Sequence, residues 1–271
     1  MTAFASLGSG SKGNGTLVRI GSEQILVDCG FSTKQAEARL DRLGVAPGDL
    51  SAILVTHEHS DHSRGVAALA YKYALPVYAS YGTLKALGPK LVGTVIDSHN
   101  EFSVGDVTVI PVIVPHDTRE PTQFVFEHRG VRVGILSDLG QITAHVTERY
   151  MGCHGLMMEA NHDRQMLMRG RYPERVKRRI ASNLGHLSNE QAVAFLDAVA
   201  NPLLQVVVGH VSQENNHLDL LEACFAPLRS KVRELRFANQ HDGIAWVEIA
   251  FDTAEAGNTV AVSPEYAIPV G

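Results

Sequence analysis

The chain has 271 residues, 45% hydrophobic and 20% charged, with a formal net charge of −5, a composition that fits a soluble globular fold with a full core and excludes disordered and collagen-like chains. No apolar run approaches the ~20 residues of a membrane-spanning helix, the start "MTAFASLGSGSKGNG" lacks the regions of a signal peptide, and Cys29, Cys153 and Cys224 are too few and too scattered for a disulfide framework or a CxxC zinc site, so a reducing cytoplasm is expected. The net charge gives no global affinity for nucleic acid, yet segment 164–179 carries +6 and leaves −11 on the remainder, an asymmetry that suits either phosphate contact or a solvated helix face.

In chain order, Gly8, Gly10 and Gly13 fit G-x-G-x-x-G, with Asp28 twenty residues beyond Gly8. A dinucleotide site needs the last glycine to open a helix. Here "NGTLVRI" follows, so the segment reads as a glycine-rich turn entering a hairpin of strands 16–20 and 24–28. A helix over 32–43 has Ser32 and Gln35 in capping-box spacing and Gly44 at its end. The apolar run "AILV" at 52–55 reads as a buried strand and 63–73 as a helix. Strands follow at 107–114, 122–127, 131–136 and 155–159, then helices at 174–182 and 188–200, the latter with a second capping box from Ser188 to Gln191. A strand at 204–208, a helix at 217–226 and strands at 234–238 and 244–249 complete the series. The closing "NTVAVSPEYAIPVG" reads as a loose tail or an edge strand. Without repeats or a Pro/Gly/Ser linker, this order makes an α/β fold in a single domain, residues 1–271.

"THEHSDH" stands at 56–62, directly after the buried strand. Three histidines and two acids beside a core are costly unless something neutralises them. The spacing H-x-H-x-D-H puts His57 and His59 on one side of an extended segment, and Asp61 and His62 where the chain turns into a helix. Three more candidates sit where buried strands stop: His116 after "VIPVIVP", Asp138 after "VGILS" and His210 after "QVVVG". Converging on one rim, they predict two divalent ions, one held by His57, His59 and His116, the other by Asp61, His62 and His210, with Asp138 between. Imidazole and carboxylate without thiolate suit Zn2+, and also Mn2+ or Fe. His241, which also follows a strand, competes with His210 for the last position, while His99, His128, His145, His154 and His217 lack such a context.

These residues resemble the metallo-β-lactamase superfamily, whose signature is HxHxDH followed by strand-end His, Asp and His, and the likeness spans nearly the whole chain. "SLGSGSKGN", "EANHD", "GHLSNEQA" and "GHVSQENN" are similar to its YycJ/WalJ-like branch of bacterial 5′→3′ DNA exonucleases, related to tRNase Z and cyclic phosphodiesterases. The resemblance implies a four-layer αββα sandwich, supports His210 over His241, puts Asp28 behind the metal loop and gives "GHLS" a non-ligand histidine, His186. Only 24 residues separate Asp138 from His162, too few for the β-CASP insertion of RNase J relatives.

The expected reaction is hydrolysis of a phosphodiester, with a hydroxide shared by the ions attacking phosphorus and His186 as the general acid. Glu159, accepting a hydrogen bond from His186, and Asp61 complete the catalytic group. Asn161 and His162 are expected at a phosphate, with Arg164 and the basic stretch behind it holding the strand, DNA more than RNA. The alternative on the same scaffold is a hydrolase of a cyclic phosphodiester, a thioester or a lactam.

Overall fold

The run at 52–55 is apolar on both faces. Ala52 and Leu54 join a buried cluster with Val109, Phe124 and Val133, while Ile53 and Val55 join another with Ala36, Leu40 and Leu69. A strand of that kind must be covered on both sides. In the computed structural model, which describes residues 1–89 and 91–250, a second sheet covers one face and helices cover the other.

The strands along the chain are β1 (Ala3–Gly8), β2 (Gly15–Ile20), β3 (Glu23–Val27), β4 (Ala52–Val55), β5 (Val77–Ser80), β6 (Thr94–Ile96), β7 (Phe102–Val104), β8 (Val107–Ile113), β9 (Thr122–His128), β10 (Val131–Leu136), β11 (Gly155–Glu159), β12 (Gln205–Gly209), β13 (Glu234–Phe237) and β14 (Ile244–Glu248). Among the described residues they form two seven-stranded sheets, ordered β14-β1-β2-β3-β4-β5-β6 and β13-β12-β11-β10-β9-β8-β7. The helices are α1 (Thr33–Arg42), α2 (Ser60–Ser63), α3 (Val66–Tyr73), α4 (Tyr81–Leu87), α5 (Ala144–Tyr150), α6 (Arg164–Arg169), α7 (Glu174–Ile180), α8 (Asn189–Val199) and α9 (Leu218–Phe225).

Three apolar layers hold this together. Phe4, Val18, Val27 and Leu54 of the first sheet meet Val109, Phe124, Phe126 and Ile135 of the second. Ala36 and Leu40 of α1 with Val66 and Leu69 of α3 close the outer face of the first sheet. Val146, Tyr150, Phe195, Leu196 and Phe225 of α5, α8 and α9 close that of the second. Each such side chain contributes about 1.5–3 kcal/mol when fully buried, and the stack is the expected helix–sheet–sheet–helix sandwich. Both capping boxes, Ser32–Gln35 and Ser188–Gln191, are formed.

β3 to β6 run parallel, as do β10 to β13. Parallel strands bring their carboxyl ends to one edge, where ligands are bound in such sheets.

Several elements differ from expectation. The helix placed at 63–73 is two, α2 and α3, broken at Gly65, where a Cβ would lie 1.9 Å from the carbonyl oxygen of Phe31. β1 was not expected, because Ala, Ser and Gly hide a strand that pairs with both β2 and β14. β5 to β7 are three or four residues long and α4 to α6 six or seven, too short to show a period. The segment "NTVAVSPEYAIPVG" lies outside the described residues.

Candidate metal centre

Six strand ends meet at this edge. β3 ends before Asp28, β4 before Thr56 and His57, β8 shortly before His116 and β10 shortly before Asp138, while β11 ends at Glu159 and β12 ends before His210. Asp28, Asp138 and His210 have φ of 62°, 56° and 49°, a left-handed conformation that costs a non-glycine residue about 1–3 kcal/mol and concentrates at functional sites. The turn after each strand aims the side chain back over the edge.

His57, His59 and His116 form the first cluster, with ring centroids 4.8 to 5.0 Å apart. Hydrogen-bond partners identify which nitrogen is free. Thr56 Oγ1 donates to Asp28 Oδ2 at 2.7 Å, so at 2.9 Å it accepts from His57 Nδ1. The His57 lone pair is then on Nε2, which is buried without a partner. His116 Nδ1 donates to the Gly185 carbonyl at 3.0 Å, which leaves Nε2 free, 3.2 Å from His59 Nδ1. Burial holds all three imidazoles below the ordinary histidine range, His57 furthest, so they are neutral, as ligands must be.

Asp61, His62 and His210 form the second cluster, and Asp138 reaches both of its histidines: Oδ2 is 2.9 Å from His62 Nε2 and Oδ1 is 3.5 Å from His210 Nε2. His57, His62 and Asp138 also converge, so Asp138 stands between the clusters. His62 Nδ1 donates to Asp28 Oδ2 at 2.7 Å. One buried carboxylate thus orients two imidazoles, His62 directly and His57 through Thr56. Burial alone would lower His62 and His210, but Asp138 and Asp28 raise the first well above its usual value, and Asp138, Asp61 and Glu159 raise the second to about 10.

Glu159 is fully buried, not a surface glutamate. Oε1 accepts from the backbone amides of Leu139 and Leu187 at 3.2 and 2.8 Å, and Oε2 from that of Asp138 at 3.0 Å. Oε2 also lies 3.2 Å from His186 Nδ1 and 3.4 Å from His210 Nδ1. Both oxygens are engaged in these contacts, and Glu159 lies in a group of four with Asp138, His186 and His210. Burial would raise its carboxyl, but His186 and His210 outweigh that and bring it to about 2.

The expected phosphate contacts divide. Asn161 lines the cleft above the ligands and donates to the His210 carbonyl at 3.0 Å. His162 is 2% exposed, bridges to Ser188 through the backbone and does not line the cleft, so it is corrected to an interior residue; burial pushes its ring down to about 4. The side chain of Arg164 reaches Ser188 Oγ and Glu190, away from the lining. Basic character enters the cleft instead from α7: Arg179 lines it and forms a two-pronged pair with Asp117. His241 is exposed and belongs to none of the clusters found among the described residues.

Four residues were missed by sequence. Thr56 sits inside the motif but ahead of the residues that were read as ligands. Ser9 Oγ accepts from the His210 amide at 2.6 Å, and Asn14 Nδ2 lies 3.3 Å from Asp61 Oδ2 and 3.0 Å from His62 Nε2. The glycine-rich turn, which leads into β2, is therefore a buttress of this site. Asp117 follows His116 directly, and only the fold brings it to Arg179.

His57 Nε2 is buried without a hydrogen-bond partner and His210 Nε2 meets its carboxylates no closer than 3.5 Å; a cation would satisfy both, and the nitrogen and oxygen donors fit divalent metals. Fold and site together define a metal-dependent hydrolase of the αββα class. The profile of the β-lactamase superfamily domain matches residues 23–210, and the chain belongs to the metallo-β-lactamase superfamily. It is 38% identical to exodeoxyribonuclease YycJ of Bacillus anthracis, over 80% of this chain and 85% of that protein. To exodeoxyribonuclease WalJ of Streptococcus pneumoniae it is 36% identical, over 80% and 84%. The metallo-β-lactamase fold protein YhfI of Bacillus subtilis superposes with a TM-score of 0.69 at 14% identity, covering 92% of this chain and all of that one. The short form of human tRNase Z superposes at 0.62 with 17% identity and the same coverage. The structural likenesses support the fold.

Proposed function

We propose that the protein is a two-metal phosphodiesterase that degrades DNA from the 5′ end, residues 1–271 acting as one hydrolase domain. The observation that carries this is a histidine beside the expected ligands: His186 lines the cleft, its ring stacks on that of His210 with centroids 5.1 Å apart, and its Nδ1 lies beside buried Glu159. Relatives named exodeoxyribonucleases, similar over four fifths of the chain, support the substrate.

His57, His59 and His116 would hold one ion, and Asp61, His62 and His210 the other, with Asp138 shared; Zn2+ or Mn2+ suits the donors. Such ions supply a water acidic enough to attack at neutral pH and compensate charge on the phosphoryl oxygens. Asp28 and Thr56 keep His62 and His57 in the tautomers that present Nε2. Glu159 fixes the His186 ring through Nδ1, and the other nitrogen, Nε2, passes a proton to the leaving oxygen. Asn161 lines the path of the phosphate. No helix among the described residues is long and apolar enough to cross a membrane, and a cytoplasmic place fits a DNA substrate.

Incubation with end-labelled single- and double-stranded DNA and RNA, with Mn2+ or Zn2+ supplied, tests this reading. Progressive shortening of DNA from the 5′ end is expected. Turnover of a thioester or lactam with no cleavage of nucleic acid would replace the reading with an acyl hydrolase.

A further inference from the structure

The cleft over the ligands has a volume of about 350 Å³, at the lower end of the roughly 300–1,000 Å³ that take a single small ligand. That is room for one nucleotide. Its lining is polar and charged around Asp138 and His186. The segment joining α6 to α7 and α7 itself add a different surface, with Tyr172, Val176 and Ile180 beside Arg179.

Among the described residues, Tyr172 is the one aromatic residue lining the cleft apart from histidines. It is half-buried, and among the described residues its ring and hydroxyl make no hydrogen bond and no ring contact. Its wall is anchored: Arg179 grips Asp117, whose Oδ1 is 3.6 Å from His116 Nε2 and 3.9 Å from His59 Nε2. An uncommitted phenol ring beside the ligand cluster suits the face of a base, and every base has one.

We infer that Tyr172 is the platform on which the base of the departing terminal nucleotide stacks, so that the site takes that nucleotide unpaired. The inference rests on the nuclease reading for its substrate and adds how the substrate is held. Stacking is indifferent to base identity, so it confers no sequence preference, and a strand end still in a duplex must fray before it enters.

The test is a binding cycle in the His186→Ala background, which slows turnover. The probe is a single-stranded DNA oligonucleotide with normal nucleotides at both termini, compared with one whose two terminal residues are abasic. With Tyr172 present, the normal strand is expected to bind about tenfold more tightly, the scale of one base stacked on an aromatic ring. Tyr172→Phe should keep the preference. Tyr172→Ala should abolish it, binding both strands as the Tyr172 protein binds the abasic one. Equal binding of the two strands by the Tyr172 protein overturns the inference, as does a preference that survives in Tyr172→Ala or a failure to bind either strand. If the base preference holds while the intact protein cleaves no DNA, the nuclease reading falls and the platform stands.

Discussion

The imidazole of His186 and the carboxylate of Glu159 meet inside the second sheet's edge, with Nδ1 and Oε2 3.2 Å apart and Glu159 wholly enclosed. The carboxylate is itself pinned by three backbone amides, so the ring it orients has little freedom. Replacing His186 by Ala should leave metal content intact, measured by elemental analysis, and lower phosphodiester hydrolysis about a hundredfold or more. Normal activity in that variant would remove the acid role.

Asp138 serves both clusters from a left-handed turn. Asn tolerates that conformation better than Ala, so Asp138→Asn separates the turn from the charge. The variant should keep its far-ultraviolet circular dichroism and lose both metal and activity. Retention of two ions per chain would show that Asp138 is not shared.

Thr56 relays Asp28 to His57 through two hydrogen bonds of 2.7 and 2.9 Å. Thr56→Val removes the relay at nearly constant volume and should weaken metal affinity 10–100-fold, roughly the effect of losing a partner behind a ligand. Thr56→Ser should restore it. Competition with a chelating dye measures both.

The two clusters should fill differently with pH. His57, His59 and His116 are held neutral by burial, whereas His62 and His210 are raised by their carboxylates, His210 to about 10. A raised value means that the proton is bound below it and must leave before coordination. The second cluster should therefore release about two protons on loading, and its affinity should fall as pH falls, while the first cluster releases none. Calorimetry in buffers of different ionisation enthalpy would count the protons, and stoichiometry should drop toward one ion per chain on acidification. An equal response of both ions would refute the assignment.

Arg175 and Arg178 are exposed on α7, next to residues that line the cleft. Exchanging both for Gln should weaken binding to duplex DNA and reduce the slope of log K against log salt by about 1–2. Thermal stability should hold, because among the described residues Arg178 is paired only with surface Glu174. An unchanged salt slope would make this a solvated face.

Much of the site was legible because ligands follow strands with strong apolar signals, and a strand end names the residue after it. "AILV", "VGIL" and "QVVV" are buried on both faces, and their unbroken apolar runs mark them as strands. His162 and Arg164 were misplaced for the opposite reason: "EANHD" passes under the helix cap at Ser188, and which way its side chains point depends on a backbone bridge between residues 26 positions apart. Asp117 and Tyr172 were silent because only tertiary packing brings α7 to the metal loop. β1 was missed for want of bulk, though its neighbour Ser9 supports His210.

The clusters draw on both sheets: His57, His59, Asp61 and His62 follow β4 of the first, whereas His116, Asp138 and His210 follow strands of the second. Cations bound here would rivet the sandwich across its seam, in addition to the apolar layer that glues it. Starving the protein of metal would then be a mechanical event as well as a chemical one, loosening the two leaves at this rim first and exposing the amides of the ligand turns to exchange before those at the opposite rim.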